Sequence, residues 1–193
     1  MNLTGTVEGH ERLRLFCALR LPGEIVERLS AWQDMELAGR PGVRVLPPSH
    51  LHITLVFLGS RPAGEVDEIV RTLREVAREA VRPAFSARRY RETSRVGMVV
   101  LAEELLPGDH LVGRANMLAG GLMLRFEELG VYRPEHRSWL PHVTIARFGT
   151  PPRLTPAALD LGMFCPSEVA LYHSVLRPDG AQYDVLESVA LGG

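Results

Sequence analysis

Two stretches of the chain, HITLVFLG at residues 52–59 and HVTIARFG at residues 142–149, open on His-x-Thr and run on as apolar segments closed by glycine. Side chains two apart on a strand share a face, whereas the same step on a helix turns them about 200° away from each other. The β-branched and aromatic neighbours favour strand. His52 and Thr54 therefore share one face, and His142 and Thr144 share another. Taken singly, each motif reads as a strand-edge histidine satisfied by backbone. Taken together, the same order, a proline shortly before each (Pro48 and Pro141) and a separation of 142 − 52 = 90 residues point to one site built from two strands.

Two histidines and two hydroxyls suit one kind of chemistry in particular. Histidine titrates near neutrality, so one ring can accept a proton while its partner donates one. Threonine hydroxyls can hydrogen-bond the non-bridging oxygens of a phosphoryl group. In-line displacement at phosphorus needs attacking and leaving oxygens on opposite sides, which a facing pair of histidines supplies without a metal or a covalent nucleophile.

Around these motifs the hydrophobic periodicity gives strands at about 12–21, 43–46, 51–58, 84–91, 96–102, 142–148, 168–176 and 183–190. Helices are expected from Pro22, with Ile25, Leu29, Trp32 and Met35 on one stripe, then over 62–81 and 109–129, with a short one after Thr155-Pro156. Gly59 is expected to stop the strand of the first motif, and Gly113, Gly120 and Gly121 interrupt the third helix without an evident reason. The turn RPDGAQ joins the last two strands. Amphipathic strands and plausible hairpins favour an α+β protein over a doubly wound parallel sheet.

Composition narrows the function classes. With 46% hydrophobic residues among 193, the chain can bury a substantial core. A net charge of −1 argues against non-specific coating of nucleic acid. All 22 basic residues are arginine, a bias that a GC-rich genome explains. The lack of lysine excludes a Walker A loop, Schiff-base chemistry and a lysine nucleophile for nucleotidyl transfer. The two cysteines, Cys17 and Cys165, are too few for a disulfide scaffold and suit a reducing, cytoplasmic setting. No apolar run is long enough to span a membrane, and the polar start does not read as a signal peptide.

The ordered set RLFCALRLP, VLPPSHLHITLVFLG, HRSWLPHVTIARF and LYHSVLRPDGAQYDVL resembles the 2H phosphoesterase superfamily, and within it the RNA 2′,3′-cyclic phosphodiesterases, also called 2′-5′ RNA ligases or LigT-like proteins. The resemblance implies one bilobal α+β domain over residues 1–193, with two antiparallel-rich sheets, helices outside and a central cleft. It implies His52 and His142 as catalytic residues, with Thr54, Thr144 and Arg147 on the substrate phosphate. The implied reaction opens a 2′,3′-cyclic phosphate of RNA or of a nucleotide to a 2′-phosphomonoester, without cofactor or metal, in a monomer with no obligatory protein partner. His142 is taken to activate water and His52 to protonate the leaving oxygen, a polarity the residues leave open. ATP-independent 2′-5′ joining is the same chemistry with a 5′-hydroxyl in place of water.

Several residues keep two readings. Strict alternation puts Arg147 opposite His142, so either a bulge, a strand end or its side-chain length brings it to the phosphate, or it is a surface arginine. Trp139, Phe16 and Phe148 are either base-stacking platforms or core. Arg88, Arg89, Arg91 and Arg95 either face RNA or protect a hairpin edge, and Arg133 and Arg137 are weaker candidates of the same kind. His50 stands where the resemblance suggests asparagine; it reads as a loop histidine or, with His52 and His142, as part of a zinc set, the former favoured. From a different class, the cleft reads as a non-catalytic module binding AMP-like nucleotides.

Overall fold

In the computed structural model, residues 11–108, 112–135, 138–177 and 180–192 are described. Alternating apolar positions make β1 (Arg12–Arg20), after which Pro22 leads into α1 (Gly23–Glu36). There follow β2 (Val43–Val45), β3 (His52–Pro62), α2 (Val66–Glu79), β4 (Ala84–Glu92), β5 (Val96–Glu104), α3 (Arg114–Glu128), β6 (His142–Phe148), β7 (Glu168–Arg177) and β8 (Gly180–Ala190). All strand pairings are antiparallel, in the order β4-β5-β6-β3-β1-β7-β8, with β2 also on β6.

The antiparallel-rich α+β architecture is the expected one, but its two sheets are halves of one hydrogen-bonded sheet. The halves meet between β3 and β6 at a single residue pair, Ile53 with Val143. The rest of that edge of β6 is taken by β2, which pairs Arg44 with Arg147 and Val45 with Ala146. Helices α2 and α3 pack against each other and cover the β3-β1-β7-β8 half. Helix α1 covers the other half, where the Trp32 indole packs near Tyr90 and the Gln33 side chain reaches the backbone of β6.

One large apolar core fills the space between helices and sheet, and includes Ile53 and Val143 themselves. A second, small cluster (Phe16, Ala18, Ala170 and Tyr172, joined by Tyr183) lies on the other face of β1, β7 and β8. Because β1 is central, both its faces are covered, so the half-buried alternation expected of it gives way to a run of five buried residues.

Four expectations change. Gly59 does not end β3; it takes φ +70° at a register shift against β1, and the strand continues to Pro62. Met35 is exposed, and the α1 stripe instead ends on buried Gln33. Helix α3 starts at Arg114, where the Glu103 carboxylate accepts the backbone N–H groups of Ala115 and Asn116. A Cβ on Gly113 would collide with that carboxylate, so one of the three glycines marks a close approach, while a Cβ on Gly121 would meet Val76 of α2 only at ordinary contact distance.

The short helix expected after Thr155 is absent; residues 151–163 are irregular. Its backbone groups are claimed from outside instead. Glu92 accepts the N–H groups of Arg153 and Leu154, Glu36 accepts that of Ala157, and the Ala157 carbonyl accepts the Trp32 indole N–H. Leu154 and Leu159 pack against the core while Pro151, Pro152 and Pro156 offer no donor, so tertiary contacts outweigh one turn of helix.

Candidate active site

The two motifs flank the pinch in the sheet. The Ile53–Val143 pair turns both apolar side chains into the core, which sends their neighbours to the opposite face. Extended one residue each way, this antiparallel register sets Thr54 across from His142 and His52 across from Thr144. Each histidine thus faces the other motif's threonine. Residues 51–60 and 141–150 also have the same burial pattern, position by position, with all four polar side chains half-buried. The threonine hydroxyls have no partner within the protein among the described residues.

The repeat extends to a shared irregularity. In β3, Thr54 pairs with Ala18 and Val56 with Cys17, leaving Leu55 as a bulge. In β6, Thr144 pairs with Met98 and Ala146 with Gly97, leaving Ile145 as a bulge. One extra residue reverses the alternation beyond it. Arg147 therefore joins His142 and Thr144 on their face, by a bulge, one of the routes the sequence left open. Phe57, five residues after His52, takes the matching place on β3 and meets Phe16 at 5.8 Å between ring centroids.

Each bulge is served by a side-chain donor from elsewhere. The buried Gln33 amide donates from Nε2 to the carbonyls of Ile145 (2.7 Å) and Leu46 (3.2 Å). The Trp139 indole N–H donates to the Thr54 carbonyl at 2.9 Å. Trp139 also packs against the main core, so the approach to the second motif is tied to the backbone of the first.

Both histidine rings are anchored by backbone two residues upstream. Nδ1 of His142 lies 2.8 Å from the Leu140 carbonyl. A carbonyl only accepts, so Nδ1 carries the proton and Nε2 is left for the site. His52 donates likewise to the backbone of His50. Aromatic rings enclose His52: Phe16 at 5.0 Å, Tyr183 at 5.5 Å and Tyr172 at 5.7 Å between centroids. Desolvation in this box pushes the His52 pKa down to about 4, the backbone hydrogen bond opposes the shift, and the charges of His142, His50 and Arg147 add to it. His52 is therefore neutral at pH 7.

His50 packs on Tyr183 at 4.5 Å, and its pKa is lowered by burial and then by Arg44 and Arg147. Among the described residues, no group of three or more His, Cys, Asp and Glu side chains is arranged to hold a metal ion. Phe148 pairs with Val43 and is buried on the core side. Arg89 and Arg91 share the site face through β5, by the rows Arg89–Val100–His142 and Arg91–Met98–Thr144, but stand two strands away. Arg88 occupies a register shift in β4, Arg95 sits in the β4–β5 turn, and Arg133 is exposed in the run-up to β6. Arg137 and the turn residues Pro178 and Asp179 lie outside the described residues.

Sequence reasoning did not single out Phe57, Tyr172, Tyr183, Gln33 or Arg44. Only Phe57 left a signal, its place five residues after His52 as Arg147 follows His142.

The chain matches known proteins over most of its length. A family model described as "LigT like Phosphoesterase" matches residues 19–91. An RNA 2′,3′-cyclic phosphodiesterase of Thermus thermophilus is 31% identical, over 94% of this chain and 91% of that protein. The crystal structure of TT0787 of Thermus thermophilus superposes with a TM-score of 0.75 at 30% identity, covering 94% of this chain and 99% of that one. E. coli LigT complexed with 3′-AMP gives a TM-score of 0.71 at 26% identity, covering 95% of this chain and 100% of that one. No helix among the described residues is long and apolar enough to cross a membrane. With its paired His-x-Thr strands, full-length similarity and shared fold, the chain belongs to the LigT-like phosphoesterase family.

Proposed function

We propose that this protein is an RNA 2′,3′-cyclic phosphodiesterase that opens cyclic phosphate ends to 2′-phosphomonoesters by metal-independent acid–base catalysis. The observation that carries the reading is the register at the Ile53–Val143 pair, which leaves two histidines and two threonine hydroxyls facing one another. A similar protein that bears the same activity as its name supports it.

The polarity favoured is the reverse of the one expected from sequence. A histidine with a pKa near 4 is a base at neutral pH, so His52 takes the proton from water as its oxygen attacks phosphorus. Thr54 and Thr144 donate to the non-bridging oxygens, and Arg147 offsets their charge. His142, with Nδ1 held by Leu140, turns Nε2 toward the 3′ oxygen and delivers a proton to it as the bond from phosphorus to that oxygen breaks. The phosphate stays on the 2′ oxygen. His52 then holds the proton that His142 has lost, and exchange with solvent resets the pair. A 5′-hydroxyl replacing water gives a 2′-5′ linkage without ATP, but water is the more abundant acceptor.

The test is a short RNA ending in a 2′,3′-cyclic phosphate, incubated in EDTA without ATP, with 2′- and 3′-monophosphate products resolved. The expected product is the 2′-phosphate, lost in His52→Ala and in His142→Ala. Binding of the RNA without turnover by the wild type would replace this reading with a nucleotide-binding module. Activity abolished by EDTA would replace it with metal chemistry.

A further inference from the structure

Beside the two motifs lies a cavity of about 330 Å³ that shares Arg147 with the reaction above and extends away from His52 and His142. Its wall is formed by the β2 segment and the turn after it on one side, the β7–β8 hairpin on the other, and Arg147 between. Of the described residues lining it, Arg44, Arg147 and Arg177 are basic and none is acidic, with His50, Gln182 and Tyr183 completing the polar lining.

Two features make this more than a basic surface. Arg44 and Arg147 are direct cross-strand partners, a placement of like charges that costs stability in a sheet. The guanidinium of Arg44 also lies against Gly180, in the space a Cβ would take, which places it at the hairpin side of the cavity. Arg177 is held by donating from Nε to Gln182 at 2.8 Å. A guanidinium fixed at Nε still has its terminal nitrogens to offer to an oxyanion.

The cavity adjoins the reacting centre through Tyr183, whose ring touches both His50 and His52. We infer that this cavity is a phosphate subsite for the phosphodiester on the 5′ side of the terminal nucleotide, so that the enzyme prefers an RNA chain end to a free cyclic mononucleotide. The inference rests on the cyclic phosphodiesterase reading. A cyclic-phosphate terminus has no chain on its 3′ side, so the only further backbone charge a single strand can offer comes from the 5′ side. The chemistry wanted is a monoanionic phosphodiester gripped by arginine, with sequence-independent affinity.

The experiment compares three substrates: cytidine 2′,3′-cyclic phosphate, the dinucleotide adenylyl-(3′,5′)-cytidine 2′,3′-cyclic phosphate, and that dinucleotide with a neutral methylphosphonate linkage. The wild type is expected to turn over the charged dinucleotide with a kcat/KM about tenfold above the neutral one, the worth of one charge-assisted contact at a partly exposed site. That ratio is expected to fall toward one in Arg177→Ala and in Arg44→Ala. Equal kcat/KM for the two dinucleotides, or a ratio unmoved by both variants, would overturn the subsite. If no substrate is turned over, the functional reading fails first, and titration calorimetry with the same two dinucleotides decides the subsite: equal Kd values overturn it, tighter binding of the charged one upholds it.

Discussion

The indole N–H of Trp139 donates to the backbone carbonyl of Thr54 at 2.9 Å, linking the approach to the second His-x-Thr strand to the bulge in the first. Gln33 does the same for the bulge in the second strand, from helix α1. The two halves of the sheet share a single paired residue at the junction, so ladder hydrogen bonds alone hold it weakly. The side-chain donors therefore help set the spacing between His52 and His142.

Trp139→Phe keeps most of the packing and removes that donor. The expected result is a fall in kcat of roughly tenfold with KM little changed, because small misplacement of catalytic groups is costly. Stability should drop by only about 1 kcal/mol. A loss of stability with unchanged kcat would make Trp139 a core residue and nothing more.

Gln33→Leu leaves the Leu46 carbonyl without the amide that now meets it, inside the core. The cost expected is about 1–3 kcal/mol, read as a drop in Tm of roughly 3–10 °C. Because Gln33 supports the bulge that turns Arg147 to the site, kcat/KM should fall as well. A variant as stable and as active as the wild type would show that the bulge needs no such support.

The His52 pKa falls from 6.5 to about 4 on folding, so below pH 6.5 the unfolded chain binds a proton that the folded protein refuses. Stability from this group is complete above pH 6.5 and is lost as pH drops toward 4, by up to about 2 kcal/mol at pH 5. Urea unfolding at pH 8 and pH 5 should show this loss in the wild type and a smaller one in His52→Gln. Activity should also persist on the acid side until His52 protonates, whereas a kcat/KM profile collapsing well above pH 6 would deny it the role of base.

Polarity can be read from the leaving group. A substrate with sulfur at the 3′ position expels a thiolate, which needs far less help from an acid than an alkoxide does. The defect of His142→Ala should shrink by about tenfold or more on this substrate, and that of His52→Ala should not. The opposite pattern would restore the polarity with His142 as base.

Much of this architecture was legible locally. The period-two spacing of His52 with Thr54, and of His142 with Thr144, depends only on strand geometry, and their shared faces followed from the residues. Strands and the helix α2 likewise followed from short-range periodicity. The helix expected after Thr155 failed because Glu92, Glu36 and Trp32, all distant in sequence, claim the backbone of that segment. Phe16 looked ambiguous for the same reason: its place in the box around His52 depends on Tyr172 and Tyr183, which arrive from the closing hairpin.

Alternation is a property of the backbone, so the order of residues alone was enough to put each polar pair on one strand face. Which other residues join them was settled by contacts between distant segments. A bulge exists only relative to a partner strand with one residue fewer, so the faces of Arg147 and Phe57 waited on Gly97–Met98 and Cys17–Ala18. The neutrality of His52 at pH 7 was settled there too, because desolvation is the sum of neighbours brought from across the chain.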